Sequence, residues 1–405
     1  MKRLLPPIAL ALFLSACTHP TVELVDFETF HVIRVKSSDV VLEDGSLNPE
    51  VQLMEDLEDS ETKVARTDVA GIARNMLGII NSEKVIHIAG TFKGHDVDGI
   101  TPLTQSGKLV IPADGPIRNL VLVSHYTVAA NYEAPSETFP LEGILAAKGY
   151  AVAIADYIGY GVTRNRIHPY MHTRSTAQSV IDMGLAVKPY LEHIGRSPES
   201  DKVILVGYSQ GGSTTLAVMN ILQEEYRDVF PVQMAYAGSG PYDLAGTFDV
   251  SMQMNETGIP SAIPMITQGI NEGEGLGLNM CDFFKGNLLL HYDEWINSKQ
   301  YTVKQINKLI GSRYLSEIMT EKGRDKTSEE TARLYKALMK NSVLNFKPES
   351  PVYLYHSRQD DTVPFENSLK AVDYFKQQDI RCNFGDYGAH TMGCLRFILT
   401  VYNDL

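Results

Sequence analysis

After its first sixteen residues the chain has no apolar run approaching the length of a membrane-spanning helix, so any attachment to a bilayer must come by another route. Cysteine is sparse. Four are present, and once Cys17 is set aside for the reason given below, Cys281, Cys382 and Cys394 allow at most one internal bridge; Cys382 and Cys394 leave that possibility open. Basic residues are outnumbered, 36 to 49, and the formal charge of −13 sets the surface against nucleic acid and anionic membranes. There is no H-E-x-x-H, no paired C-x-x-C, no phosphate-binding lysine loop and no dinucleotide fingerprint, so no cofactor is implied. His168 and His172 are four apart, but Pro169 between them and the lack of a nearby third ligand argue against a metal. No internal repeat and no low-complexity tract is visible.

What is present begins with Met1-Lys2-Arg3, an apolar run from Leu4 to Leu14, and Leu14-Ser15-Ala16-Cys17. A short basic start, a brief apolar core and small residues before a cysteine describe an export signal over 1–16. The last four of these residues resemble a bacterial lipobox, which implies acylation of Cys17 and an exported, lipid-anchored protein; Thr18 leans toward the outer membrane. Loss of Lys2 and Arg3 makes the charge two units more negative. Residues 17–83, with an acidic run from Glu50 to Glu61, read as a tether and a small accessory layer.

Two extended segments follow, Lys84 to Gly94 and Ser106 to Ile111, separated by Asp98-Gly99 and suggesting an antiparallel start to a sheet. Then short apolar strands alternate with helices. Leu120 to Ser124, Ala151 to Ala155, Val203 to Val206 and Val232 to Ala237 are the strands; Phe139 to Lys148, Ser175 to His193 and Gly211 to Tyr226 are the helices. This rhythm predicts an α/β fold with a mostly parallel, doubly wound sheet. The core occupies 84–242 and resumes at 351–405 with strand Val352 to Tyr355, helix Phe365 to Gln377, strand Ile380 to Phe384 and helix Thr391 to Asn403. Between them, 243–350 carries helical patterns from Tyr301 to Ile318 and Ser328 to Met339, the usual position of a cap over a site. Met252, Met254 and Met265 in it are either core of the cap or a lining for a variable apolar guest.

The strongest chemical signal is Gly207-Tyr208-Ser209-Gln210-Gly211, placed directly after an apolar strand and before a small-residue helix. A strand, a sharp turn and a helix are the context in which G-x-S-x-G exposes a serine on a strained backbone. A serine hydroxyl needs a base to accept its proton and a carboxylate to hold that base in one tautomer. With the chain order serine, acid, base, His390 is the one histidine left beyond the acid. Asp360, just past Val352 to Tyr355, is the chosen acid, with Asp361 as its rival. Asp156 beside a tight turn reads as a structural hydrogen-bonding group. An oxyanion needs two aimed backbone N–H groups; Gln210 supplies one, and Tyr126, with Thr127 as alternative, the other.

Gly207 to Gly211, the Asp156-Tyr157-Ile158-Gly159-Tyr160-Gly161 stretch, the Asp360 to Pro364 turn and the Gly388 to His390 loop together resemble the α/β-hydrolase superfamily over about residues 84 to 405, and within it the secretory lipase family and its bacterial relatives. The resemblance implies a serine esterase with Ser209 as nucleophile, His390 as base and Asp360 as acid. Ser124-His125-Tyr126 stands where many relatives carry His-Gly. The reactions in view are hydrolysis of lipid or small carboxylic esters, removal of acyl groups from glycans, and prolyl-type peptide cleavage. A binding lipoprotein without catalysis is the remaining reading, and the intact serine, acid and histidine speak against it. The partner expected is an ester substrate, with the membrane reached through Cys17.

Overall fold

The computed structural model describes residues 21–36, 84–138 and 140–405. Residues 1–16, where the export signal is expected, Cys17, the acidic run from Glu50 to Glu61 and Phe139 lie outside the described residues. Strands β1 (Thr21–Asp26), β2 (Val32–Lys36), β3 (Val85–His95), β4 (Pro102–Pro112), β5 (Leu120–Ser124), β6 (Ala151–Ala155), β7 (Val203–Tyr208), β8 (Val232–Gly238), β9 (Val352–Ser357) and β10 (Ile380–Gly385) form one sheet in the order β10-β9-β8-β7-β5-β6-β4-β3-β1-β2. From β6 through β10 every neighbouring pair is parallel, whereas β3 and β4 form the antiparallel start and β4 pairs antiparallel with β6.

The central strands are apolar along their whole length because both faces are covered. β5, β6 and β7 are buried at every residue. On one face pack α1 (Thr173–His193) and α2 (Gln210–Glu225), where Leu205, Leu122 and Ala153 meet Val180, Met183 and Met219. On the other, Val206, Val123 and Ile154 meet Leu145 and, from the last helix, Leu395 and Phe397.

Several elements depart from the reading above. Residues 21–36 form no layer of their own: β1 continues the sheet edge, pairing parallel with β3 through Val25 opposite Gly90. Gly90 makes this possible, since a Cβ there would stand 2.5 Å from the ring of Phe27, a ring that packs edge-on against Tyr190 with centroids 5.1 Å apart. The helix expected from Phe139 is a tighter 3-10 segment, Leu141–Lys148, following Pro140 and stopped by Gly149 at φ 92°. The pattern from Tyr301 to Ile318 is two helices, broken at Gly311, whose φ of 71° favours glycine. Cys281, Cys382 and Cys394 are all free thiols, so the bridge left open between the last two is not formed. Among the described residues no helix is long and apolar enough to cross a membrane.

The insertion between β8 and β9 holds α3 (Leu244–Met254), α4 (Ala262–Glu274), α5 (Gly286–Leu290), α6 (Val303–Ile310), α7 (Leu315–Ile318), α8 (Glu321–Arg324) and α9 (Glu329–Lys340) around an apolar cluster that includes Ile270, Phe283, Phe284, Leu315 and Leu334 and is joined from the core by Ala129, Tyr170 and Met171. The chain then returns through β9, α10 (Glu366–Tyr374), β10 and α11 (His390–Asp404).

Candidate active site

Ser209 occupies the single step between β7 and α2, with φ 58° and ψ −123°, a conformation that costs a non-glycine residue on the order of 1–3 kcal/mol. The flanking glycines make the step possible. A Cβ on Gly207 would lie 2.3 Å from the Gly211 carbonyl oxygen, and one on Gly211 would lie 1.9 Å from that of Ser124. The strained turn is pinned by Ser209 N–H donating to Gly238 O (2.9 Å) and Gly212 N–H donating to Ser209 O (2.9 Å).

His390 is the first residue of α11, and its Nε2 stands 2.8 Å from Ser209 Oγ. Its Nδ1 lies 2.7 Å from Asp360 Oδ2. A carboxylate only accepts, so Nδ1 carries the proton and Nε2 is left to accept from the serine hydroxyl. Asp360 follows β9 in a turn whose N–H groups hold its other oxygen: Oδ1 accepts from Thr362 N (2.9 Å) and Val363 N (2.8 Å). Burial alone would raise its pKa, but the neighbouring imidazoles of His390 and His356, with the hydrogen bonds they make, hold the carboxyl well below its ordinary value.

Asp361 does different work. Its Oδ1 accepts the backbone N–H of His390 at 3.2 Å, satisfying one orphan donor at the start of α11. The His390 carbonyl accepts from Tyr208 Oη (2.9 Å), so the phenol beside the serine also fixes the imidazole's backbone. Asp156 is buried beside the 157–161 turn, its Oδ2 accepting from Ser106 Oγ (2.5 Å) and Oδ1 from Ser136 N (2.7 Å).

Gln210 opens α2, where a backbone N–H has no partner earlier in its helix. The loop after β5 lies against this helix end, because the space a Gly211 Cβ would need is held by Ser124 O and, at 2.9 Å, His125 O. His125 is stacked on Tyr157 with ring centroids 3.9 Å apart, and its Nδ1 is 2.6 Å from Tyr126 O. Tyr157 Oη donates to His125 O at 3.3 Å, which turns the N–H of the same peptide, that of Tyr126, to the opposite side. Burial drives His125 down to about 4, leaving it neutral. Thr127 Oγ1 lies 2.7 Å from Tyr170 Oη.

Sequence reasoning did not find His356 or the use made of His168. His356 is fully buried, with Nε2 3.4 Å from Asp360 Oδ2. His168 puts Nδ1 2.7 Å from Ile158 O and Nε2 3.2 Å from the Gln210 side-chain Nε2. His172 turns instead to Ser175 and Glu274, and among the described residues no cluster of His, Cys, Asp and Glu is arranged to hold a metal ion. A small, half-open cavity of about 30 Å³ adjoins His168, walled by Tyr160, Tyr170 and Ile167 on one side and by Met265, Ile296 and Lys299 of the insertion on the other. Of the three methionines weighed, Met265 lines this space while Met254 is exposed.

Comparison with known proteins agrees with this architecture. The structure is similar to the rice cell wall degrading esterase LipA from Xanthomonas oryzae (24% identity, 82% of this chain and 91% of that one, TM-score 0.69). It is also similar to a Legionella pneumophila protein described as a hydrolase (22%, 79% and 88%, TM-score 0.71) and to Candida antarctica lipase A (16%, 77% and 74%, TM-score 0.57). At these identities the likeness shows the fold, that of the α/β hydrolases. No curated protein matches the chain. The family model for secretory lipase matches residues 123–386, a stretch that contains Ser209 and Asp360 and ends just short of His390. The chain belongs to the secretory lipase family, and with it to the hydrolases of esters.

Proposed function

We propose that the protein is a serine carboxylic ester hydrolase working through an acyl-enzyme on Ser209. The observation that carries this reading is the unbroken line of short contacts from Ser209 Oγ through His390 to Asp360, at 2.8 and 2.7 Å. In the first half-reaction His390 Nε2 takes the hydroxyl proton as Oγ bonds to the ester carbonyl carbon; the C–O bond to the alcohol then breaks and the alkoxide leaves with that proton. In the second, His390 takes a proton from water, whose oxygen attacks the acyl carbon, and returns it to Oγ as the acid departs. The oxyanion formed in each half would be met by the backbone N–H groups of Gln210 and Tyr126. Asp360 stays ionised throughout and holds the imidazole in its Nδ1–H tautomer.

In this reading the insertion, 243–350, is a cap, and its share of the cavity wall selects the acyl or alcohol group. Residues 1–16 direct export and Cys17 carries the lipid that holds the enzyme to the cell envelope, with the outer membrane as the expected site. A second substrate class is acyl groups carried on glycans, to which the side-chain amides of Gln268 and Asn297 on the cavity wall would offer hydrogen bonds. The likeness to an esterase that degrades plant cell wall fits that class too.

The test is hydrolysis of p-nitrophenyl esters of graded acyl length against an acylated xylan and an aminoacyl-prolyl anilide, with Ser209→Ala as control. Ester turnover that falls by roughly 10⁴-fold or more in the variant is expected. Undiminished turnover would remove the mechanism, and preference for the anilide would make the protein a peptidase.

A further inference from the structure

His356 lies at the end of β9, fully buried, four residues before the acid. Its Nε2 faces two acceptors, Val363 O at 3.1 Å and Asp360 Oδ2 at 3.4 Å, so that nitrogen carries a proton. On its other side Nδ1 lies 2.7 Å from Ser368 Oγ near the start of α10. In the neutral ring Nδ1 accepts and Ser368 donates, which fixes the tautomer that sends N–H toward the acid. The ring of Phe365 meets the imidazole edge-on, with centroids 5.4 Å apart.

These contacts close a loop of bonds around the carboxylate. Asp360 Oδ1 holds Val363 N, Val363 O holds His356 Nε2, and the same N–H faces the carboxylate oxygen that receives His390. A buried histidine needing only a partner for itself would be satisfied by Ser368 and Val363. Here the ring is set against the acid as well, so that Oδ2 lies between two imidazoles. The titratable groups facing this corner are Asp360 and Asp361 on the turn, His390 on α11, Tyr208 on β7, whose phenol Asp360 opposes, and Tyr242, which reaches Ser368.

We propose that His356 is a positioning residue for the acid: its N–H fixes the turn that carries Asp360 and draws charge from the oxygen that supports His390. The inference rests on the triad assignment above.

The experiment compares His356→Leu, His356→Gln and Ser368→Ala by pH profiles of kcat and kcat/KM on a short p-nitrophenyl ester, beside thermal unfolding and the Ser209→Ala control. Leucine keeps the bulk and loses the donor. Its kcat is expected to fall between about 10-fold and 100-fold at little-changed KM, through misplacement of the acid. The acid limb of kcat/KM should move to higher pH, because Oδ2 freed of one donor stabilises imidazolium more strongly. Glutamine places an amide N–H at the same number of bonds from Cα and should restore most of kcat and the wild-type limb. A leucine variant with wild-type kcat and limb overturns the proposal. So does an equal loss in leucine and glutamine variants with the limb unmoved, which marks a purely structural role. Should leucine fail to fold, Ser368→Ala decides: a limb displaced upward supports the assignment and a fixed limb overturns it. Undiminished activity in Ser209→Ala would instead remove the parent reading.

Discussion

The sheet and the insertion hold themselves together in different ways. Around Ser209 the backbone is strained, the glycines are forced by contacts as close as 1.9 Å, and each carboxylate oxygen of Asp360 has a donor. The insertion's apolar cluster takes in Ala129, Tyr170 and Met171 of the core, and backbone approaches and polar contacts add to that seam. Gly258 lies where a Cβ would stand 2.1 Å from Asp361 O, Gly269 where one would stand 2.2 Å from Tyr170 N, and Asn341 Oδ1 accepts from Thr173 N at 2.9 Å. On the proposed mechanism the contrast amounts to a division of labour, in which the core would fix the reacting atoms and the insertion would decide what reaches them. It also predicts that variants on the two sides fail differently.

The largest effect belongs to the core. Asp360→Asn leaves the geometry nearly isosteric but presents an amide to His390 Nδ1, which favours the wrong tautomer; kcat should drop by roughly 10⁴-fold with KM little changed. Asp361→Asn still offers an oxygen to His390 N and should cost no more than a few-fold, since a neutral amide caps a helix nearly as well. Steady-state kinetics on both variants checks this. Equal losses would mean that the two carboxylates act as one unit.

Much of this core was legible in the sequence, for physical reasons. Val203 to Val206 is an uninterrupted apolar run because it is covered on both faces, and Gly207 and Gly211 stand where any side chain would collide. His390 could be reached by chain order alone. His356 could not, since its role depends on Nε2 meeting a residue four positions on, across a turn whose shape the sequence does not state. The β1–β2 hairpin was missed because its partner is β3, some sixty residues away, and a five-residue strand carries little periodicity. In the insertion the short amphipathic helices blur together, as Tyr301 to Ile318 shows, because a break at Gly311 leaves the apolar spacing on either side intact. Nothing in the sequence around Lys299 marks it, because its partners are backbone carbonyls more than a hundred residues away.

That lysine gives the second prediction. Its Nζ donates to Gly159 O (2.5 Å), Arg164 O (2.6 Å) and Arg166 O (2.5 Å), tying the insertion to the turn after β6, and its own carbonyl accepts from Asn131 N (2.8 Å). Burial and the nearby Arg164 hold its pKa down to about 8. Lys299→Met keeps the stem and strands these buried acceptors, at a cost on the order of 3 kcal/mol in urea unfolding. KM should rise more than kcat falls, because the ammonium stem walls the cavity while the Ser209–His390 contact is untouched. A loss confined to kcat would break the division drawn here.

The last effect, confined to stability, runs the other way and argues that the core is not uniformly optimised. Glu142, in the 3-10 segment packed against α11, is 2% exposed, and its Oε2 has no hydrogen-bond partner among the described residues. Burial pushes the carboxyl from its ordinary 4.5 up to about 7. A group whose folded pKa is raised binds more protons folded than unfolded, so its contribution is complete below about pH 4.5 and is lost as pH rises through 7. Glu142→Gln removes the titration. The variant and the wild type should therefore differ by a constant amount below pH 4.5, and from there to pH 7.5 the variant should gain on the wild type by up to about 3 kcal/mol. Urea midpoints across that range measure it, and the kinetics should stay unchanged because Glu142 touches none of the reacting groups. Parallel stability curves would mean that this carboxyl finds a partner, and the imperfection would then have to be sought on the insertion's side of the molecule.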